Sequence, residues 1–163
     1  MKRHVSVTIP VKPYIRAFII HELGTPYIKV TQGSHSMVDK LYDLLERDTN
    51  ERKSERQCRY GSEIKLFIPF RTFNRRGHCL NHTNIARFNK FVELMIKERF
   101  FYRMNTLIDV LPNFSTNLTV VRNELGIDIE SWSDDSMQKE YYRYRKKKNL
   151  PLLYKNTFAP TVL

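Results

Sequence analysis

Polar and apolar residues alternate in two short stretches of the first half of the chain. Residues 4–9 alternate before Pro10, and residues 63–70 form a second stretch with a similar Ile-Pro ending. A period of two residues is typical of a strand that buries one face. We expect these two strands to pair, and residues 27–30 to form a brief third strand.

Helical spacing of apolar residues accounts for most of the remaining chain before residue 112. It predicts a short helix over residues 14–23, which Gly24 ends, and a second helix capped by Ser34 or Ser36. From His82 or Thr83 to residue 108, the apolar positions lie on one stripe. This stripe predicts one long central helix, or two helices joined near residues 99–105.

Two further helices are predicted after Pro112. Ser115 or Thr116 caps the first, and Gly126 follows its end. Ser133 caps the second, with Asp134 and Asp135 in its first turn, where carboxylates suit the positive end of the helix dipole. This last helix is expected to run to about Lys148.

These elements predict an α+β fold, with a small N-terminal sheet packed on helices and a mainly helical C-terminal half. Residues 1–150 are expected to form a single domain. The polar residues 47–61 carry mixed charges and predict a mobile loop, and residues 151–163 form a tail with no clear period. Residues 71–81, between the second predicted strand and the long helix, carry no predicted element.

Charge favours a polyanionic partner. The 163 residues contain 28 Lys and Arg against 17 Asp and Glu, a formal net charge of +11. Such an excess on a small domain is typical of nucleic-acid binding. A basic surface that serves solubility or a protein partner is the alternative.

The last predicted helix concentrates this charge beside aromatic rings. Lys139, Arg143, Lys146 and Lys147 share one helical face at spacings of three and four, and Met137, Tyr141, Tyr144 and Lys148 share another. Cations can bind phosphates and tyrosines can stack on bases. The candidate nucleic-acid contacts on this helix are Lys139, Tyr142, Arg143, Arg145, Lys146, Lys147 and Lys148. The alternative is that the cations compensate the helix dipole and the tyrosines pack on the core.

The connector before this helix limits a helix-turn-helix interpretation. Residues 127–132 are longer than the usual turn, and Asp128 and Glu130 would repel phosphate. Trp132, with Ile127 and Ile129, is expected to be a hydrophobic clasp between helices rather than a platform for bases.

A second basic patch surrounds Gly77. Its candidate contacts are Arg71, Arg75 and Arg76, with Phe70 and Phe73 beside them. These residues could grip a nucleic-acid backbone. They could equally form a surface loop that its phenylalanines anchor to the core.

The sequence offers no catalytic or metal-binding pattern. It has no phosphate-binding glycine loop, no serine-nucleophile elbow and no zinc-protease motif, and the segment 78–82 with Cys58 fits no common zinc spacing. We therefore expect a non-enzymatic protein without a cofactor or metal. With two cysteines, no signal segment and no membrane-length apolar run, we expect it in the cytoplasm or nucleoid.

The sequence thus predicts a nucleic-acid-binding protein, with DNA as the expected partner, acting as a regulator or accessory factor of replication or recombination. The first alternative is a structural subunit of a virion or other nucleoprotein particle, in which the tail contacts neighbouring copies. The second is an enzyme acting on nucleic acid.

Overall fold

The structure is a computed structural model that describes residues 4–47, 60–111 and 113–151. In chain order, its elements are β1 (His4–Val11), α1 (Pro13–Leu23), β2 (Tyr27–Lys29), α2 (Ser36–Leu44), β3 (Ser62–Pro69), α3 (Phe70–Arg76), α4 (His82–Ile108), α5 (Phe114–Glu124) and α6 (Asp134–Lys147). These elements confirm the predicted α+β fold, with a small N-terminal sheet and a mainly helical C-terminal half.

The sheet has the order β1-β3-β2. β1 runs antiparallel to β3 with Val7 opposite Leu66, and β2 runs parallel to β3 with Ile28 opposite the same leucine. The predicted pairing of residues 4–9 with residues 63–70 is therefore confirmed as the pairing of β1 with β3. Pro10 lies inside β1 rather than after it, and it is tolerated there because β1 is an edge strand.

The central helix α4 is a single helix of 27 residues, about 40 Å long. The side chain of Asn81 caps it by accepting a hydrogen bond of 2.8 Å from the backbone N–H of Asn84. One stripe of α4 is buried in the hydrophobic core and contains Phe88, Val92, Ile96, Phe100 and Met104. The stripe continues through residues 99–105, so the helix does not divide there.

Residues 70–76 form a helix where the sequence predicted no element. The Thr72 hydroxyl donates a hydrogen bond of 3.2 Å to the carbonyl of Val30, and the ring of Phe73 is partly buried against the core. Gly77 ends α3 at a φ of 90°, a conformation that glycine adopts readily. Tertiary contacts therefore hold a short helix that has too few residues to show a period.

Two helix caps differ from the prediction. The imidazole Nδ1 of His35 caps α2 by accepting from the N–H of Met37, while Ser34 donates to the carbonyl of Thr31 in the preceding turn. Asn113 caps α5, one residue before the helix begins. By contrast, Ser133 caps α6 as predicted.

Residues 48–59 and 152–163 lie outside the described residues, so most of the predicted mobile loop and nearly all of the tail are not covered. In the part of the chain that is covered, none of the helices combines the length and the apolar character needed to span a bilayer.

Candidate nucleic-acid interface

Helix α6 has one buried face and one charged face. Met137 and Tyr141 are buried in the core cluster, and the ring of Tyr144 stacks on Phe101 of α4 with centroids 4.2 Å apart. The opposite face carries Lys139, Arg143, Lys146 and Lys147, all of them exposed. The predicted second face is therefore confirmed for Met137, Tyr141 and Tyr144, whereas Lys148, predicted on the same face, is exposed.

Arg145 lies inside the protein and not on the charged face. It is only 8% exposed. Its Nε donates to the carbonyl of Pro151 at 2.7 Å, and its Nη1 donates to the Tyr141 hydroxyl at 3.0 Å. The structure therefore does not place Arg145 on the predicted contact surface, because its guanidinium is buried and already donates to Tyr141 and Pro151.

The tyrosines of α6 pack against the protein and present no open row of rings to solvent. The Tyr141 hydroxyl donates to Asn105 Oδ1 at 2.7 Å, and the Tyr144 hydroxyl accepts from the Nδ2 of the same asparagine at 3.1 Å. Tyr142 is half-buried and stacks on Phe114 with nearly parallel rings. The core-packing alternative therefore describes these rings better than base stacking does.

The four residues Lys139, Arg143, Lys146 and Lys147 are called the cation face of α6 below. Arg143 is 74% exposed and contacts Glu140 at 3.3 Å. Among the described residues, the three lysines of this face form no ion pair. Lys148 caps the end of the helix and is also exposed. The face spans nine residues, from Lys139 to Lys147, or about 12 Å along the helix axis.

A mixed-charge cluster lies beside the cation face. Lys97 of α4 contacts Glu93 and Glu140 at 3.0 Å each, and Lys12 contacts Glu93 at 3.0 Å. Burial opposes ionisation of Glu93, but the hydrogen bonds from Lys97 and Lys12 outweigh it and lower the pKa of this carboxyl. Burial likewise opposes the charge of Lys97, whose pKa is nevertheless raised by its two carboxylate partners. This cluster joins α6 to α4 and to the start of α1.

A cavity of about 530 Å³ opens on this cluster. Its charged lining is Glu93, Lys97, Glu130, Lys139, Glu140 and Arg143. Three cations thus face three carboxylates, so the cavity has no net charge that would select an anion. Burial and the nearby Glu93 raise the pKa of the Tyr14 phenol at its edge, so this group stays protonated as a hydrogen-bond donor.

The connector between α5 and α6 is fixed in place by several contacts. Trp132 is buried and packs against Tyr14 of α1 and Phe100 of α4. The predicted clasp is confirmed for Trp132 and for Ile127, which is buried, but Ile129 is 54% exposed. Arg122 of α5 forms an ion pair with Asp134 in the first turn of α6.

The acidic part of this connector remains at the surface. Asp128 accepts hydrogen bonds from the hydroxyl and the N–H of Ser131, and these bonds lower the pKa of its carboxyl. Glu130 is exposed as well. The two negative charges therefore stay where a helix-turn-helix protein would approach phosphate.

The second basic patch lies at the other end of α4. Arg71 and Arg75 are exposed on α3, whereas Arg76 contacts Asp43 at 3.4 Å and lies over the ring of Tyr42. Gly77 and Cys79 lie against Glu46, which binds Asn84 near the start of α4. Glu46 thus links the loop after α3 to the start of α4, whereas Tyr144 of α6 stacks on Phe101, which is 17 residues or about 25 Å further along α4 than Asn84. The basic patch on α3 and the cation face of α6 are therefore separate surfaces.

The segment 78–82 does not collect metal ligands from elsewhere in the described structure. Cys79 forms a backbone bridge with Glu46, and its sulfur lies 3.7 Å from the imidazole of His78. Within residues 4–47, 60–111 and 113–151, no three side chains of the His, Cys, Asp or Glu type are grouped to hold an ion.

No sequence pattern predicted the cluster of rings on the face of the sheet that points away from the core. His4, Phe67 and Tyr27 come from three different strands, and the ring of Phe67 contacts the rings of the other two. Only strand register could have predicted this cluster, because 23 or more residues separate its members along the chain.

Comparison of the chain with protein-family models, with curated proteins and with solved structures finds no significant match.

Proposed function

We propose that the protein binds nucleic acid, with DNA as the expected partner, and that the cation face of α6 is its principal contact. The observation that supports this most directly is the exposure of four cations on one helical face, of which only Arg143 forms an ion pair with a described residue. Dipole compensation does not require Lys139 or Arg143, because cations stabilise only the last turn of a helix.

The dimensions of the face suit a phosphate backbone. Duplex DNA carries one charge per strand for about every 3.4 Å of helix axis. The cation face extends over about 12 Å, which corresponds to about three or four phosphates of one strand. The binding that we propose is insensitive to sequence, because phosphate contacts position a protein without reading bases.

A salt titration tests this proposal. Duplex DNA binding is measured by fluorescence anisotropy for the wild type and for a Lys139→Ala, Arg143→Ala, Lys147→Ala variant. Removal of each phosphate interaction should reduce the slope of log K against log salt by about 0.9, so the slope should fall by about 2.7.

The matched control removes three cations that lie on other helices and is Arg16→Ala, Lys40→Ala, Lys90→Ala. It has the same net charge as the α6 variant, so general charge loss affects both equally. Equal loss of duplex binding in the two variants would refute a localised contact on α6. Absence of any salt-dependent binding in the wild type would refute the proposal as a whole.

A second proposal is an assembly role, in which neighbouring copies contact the apolar end of α4. Val110 is 71% exposed there, and Leu111 beside it is exposed as well. Sedimentation of a chain that ends at Pro151 tests the contribution of the tail, and it retains the carbonyl that binds Arg145. A Val110→Ser, Leu111→Ser variant tests the contact after α4 in the same way. A smaller assembly with intact DNA binding in either protein would favour this second role.

A further inference from the structure

The outer face of the sheet carries aromatic rings and lysines rather than only small polar residues. Strand alternation buries Ile64, Leu66 and Ile68 of β3 and turns Lys65 and Phe67 to the opposite face. On the flanking strands, His4, Tyr27 and Lys29 are exposed. The outer sheet cluster, as it is called below, comprises three residues with rings and two lysines, namely His4, Tyr27, Lys29, Lys65 and Phe67.

The rings form a row across the three strands. Phe67 lies on the central strand, and its centroid is 4.8 Å from that of His4 on β1 and 4.8 Å from that of Tyr27 on β2. Both contacts are edge-to-face, with interplanar angles of 83° and 75°. The flanking rings therefore stand nearly perpendicular to Phe67, which holds both of them in position. Tyr27 remains 38% exposed despite these contacts.

The cations of the cluster border the rings. Lys65 extends over the Phe67 ring, with its Nζ 5.7 Å from the centroid, and it pairs in register with Tyr27. Lys29 pairs in register with Phe67 from the neighbouring strand. Among the described residues, neither lysine forms an ion pair. Glu63 lies on the same face of β3 and is exposed, so the face carries two lysines and one carboxylate next to exposed aromatic surface.

We infer that this face binds single-stranded nucleic acid by stacking bases on the outer sheet cluster. Unpaired bases stack on aromatic side chains without regard to sequence, while cations alongside them bind the backbone. A base-paired duplex keeps its bases stacked internally, so its bases cannot use these rings. The cluster therefore favours single strands, whereas the cation face of α6 requires phosphates only.

The second basic patch extends this surface. α3 begins at Phe70, directly after β3 ends, so the Cα atoms of Phe70 and Phe67 are at most about 11 Å apart. Phe70 is 50% exposed, and Arg71 and Arg75 on the same short helix are exposed. A strand that stacks on the outer sheet cluster would meet these arginines at one end of the sheet.

The test uses a fluorescein-labelled oligothymidylate and the full chain. The variant Tyr27→Ala, Lys29→Ala should bind it about 5- to 150-fold more weakly, the effect expected when one stacked base is lost. Duplex binding should change little. The matched control is Tyr102→Ala, Lys90→Ala, which removes an exposed ring and an exposed lysine from α4.

Tyr27→Phe tests whether the ring of residue 27, rather than its hydroxyl, is what binding requires. It keeps the ring but not the hydroxyl, and it should bind the oligothymidylate as the wild type does. Oligothymidylate binding that is equally weak in the control and in the sheet variant, or unaffected in both, would overturn the inference. The inference would also be overturned if the wild type and the sheet variant had the same ratio of duplex affinity to single-strand affinity.

The inference extends the proposed function but rests on different residues. If the α6 variant loses duplex binding while the sheet variant binds single strands normally, only the inference fails. If the sheet variant alone loses binding, the inference holds and the principal contact proposed on α6 fails.

Discussion

Two arginines of α6, only two residues apart, should respond oppositely to substitution. Arg145 is buried and Arg143 is on the cation face. Arg145→Ala should reduce the free energy of unfolding, whereas Arg143→Ala should not. Conversely, Arg143→Ala should weaken binding to duplex DNA without altering the fold.

The magnitude for Arg145 follows from its contacts. Hydrogen bonds from a charged group contribute about 1.5–3 kcal/mol each, but removal of the guanidinium also relieves the cost of its burial. Pro151 is exposed, so we expect its carbonyl to bind water instead, and the Tyr141 hydroxyl keeps its bond to Asn105. We therefore expect a net loss of about 2 kcal/mol for Arg145→Ala, near the lower end of that range.

The magnitude for Arg143 is smaller. Its contact with Glu140 is an exposed pair at the spacing of one helical turn, and such pairs contribute less than about 0.5 kcal/mol. The salt slope of duplex binding should nevertheless fall by about 0.9, because the variant releases one counterion fewer from the DNA backbone.

Urea unfolding followed by tryptophan fluorescence measures the stability of both variants. Trp132 is the single tryptophan of the chain and is buried, so its emission reports on the fold. Arg145→Met serves as a control, because it keeps much of the packing of the side-chain stem while removing the hydrogen bonds. Equal stability of the two alanine variants would refute the reasoning, as would an Arg145→Ala protein within about 0.5 kcal/mol of wild type.

Three further predictions concern the scaffold. Gly77→Ala should destabilise the protein by more than Gly33→Ala, because both have positive φ but only Gly77 would place a Cβ against the backbone of a neighbouring segment; comparison of their unfolding midpoints checks this, and equal midpoints would contradict it. The pKa of Glu93 is lowered from the ordinary value of 4.5, so its ion pairs stabilise the protein at any pH above 4.5. This contribution is lost as the pH falls below that value. Glu93→Gln should therefore be less stable at neutral pH and lose less stability on acidification, so an unchanged pH dependence in urea unfolding would count against the cluster. Phe100→Ala should cost about 3–5 kcal/mol, since the ring is fully buried, while Tyr102→Ala two residues later should be nearly neutral in the same assay.

Periodicity in the sequence was enough to predict most of the framework. The alternation before Pro10 and the long apolar stripe after His82 predicted β1 and α4, because each burial pattern repeats often enough to be read without the fold. Ser133 predicted the start of α6, since capping is a contact between neighbours in the chain. In these cases the determining interactions are local.

Only the tertiary structure decided what the charged side chains of α6 do. Arg143 and Arg145 belong to one run of basic residues, yet the second is buried against Tyr141, whose hydroxyl binds Asn105 of α4, whereas the first is exposed. The outer sheet cluster depends in the same way on strand register, which brings Tyr27 beside Phe67 across 40 positions of the chain. Long-range packing determines both surfaces, and a pattern of neighbouring residues contains no direct record of it.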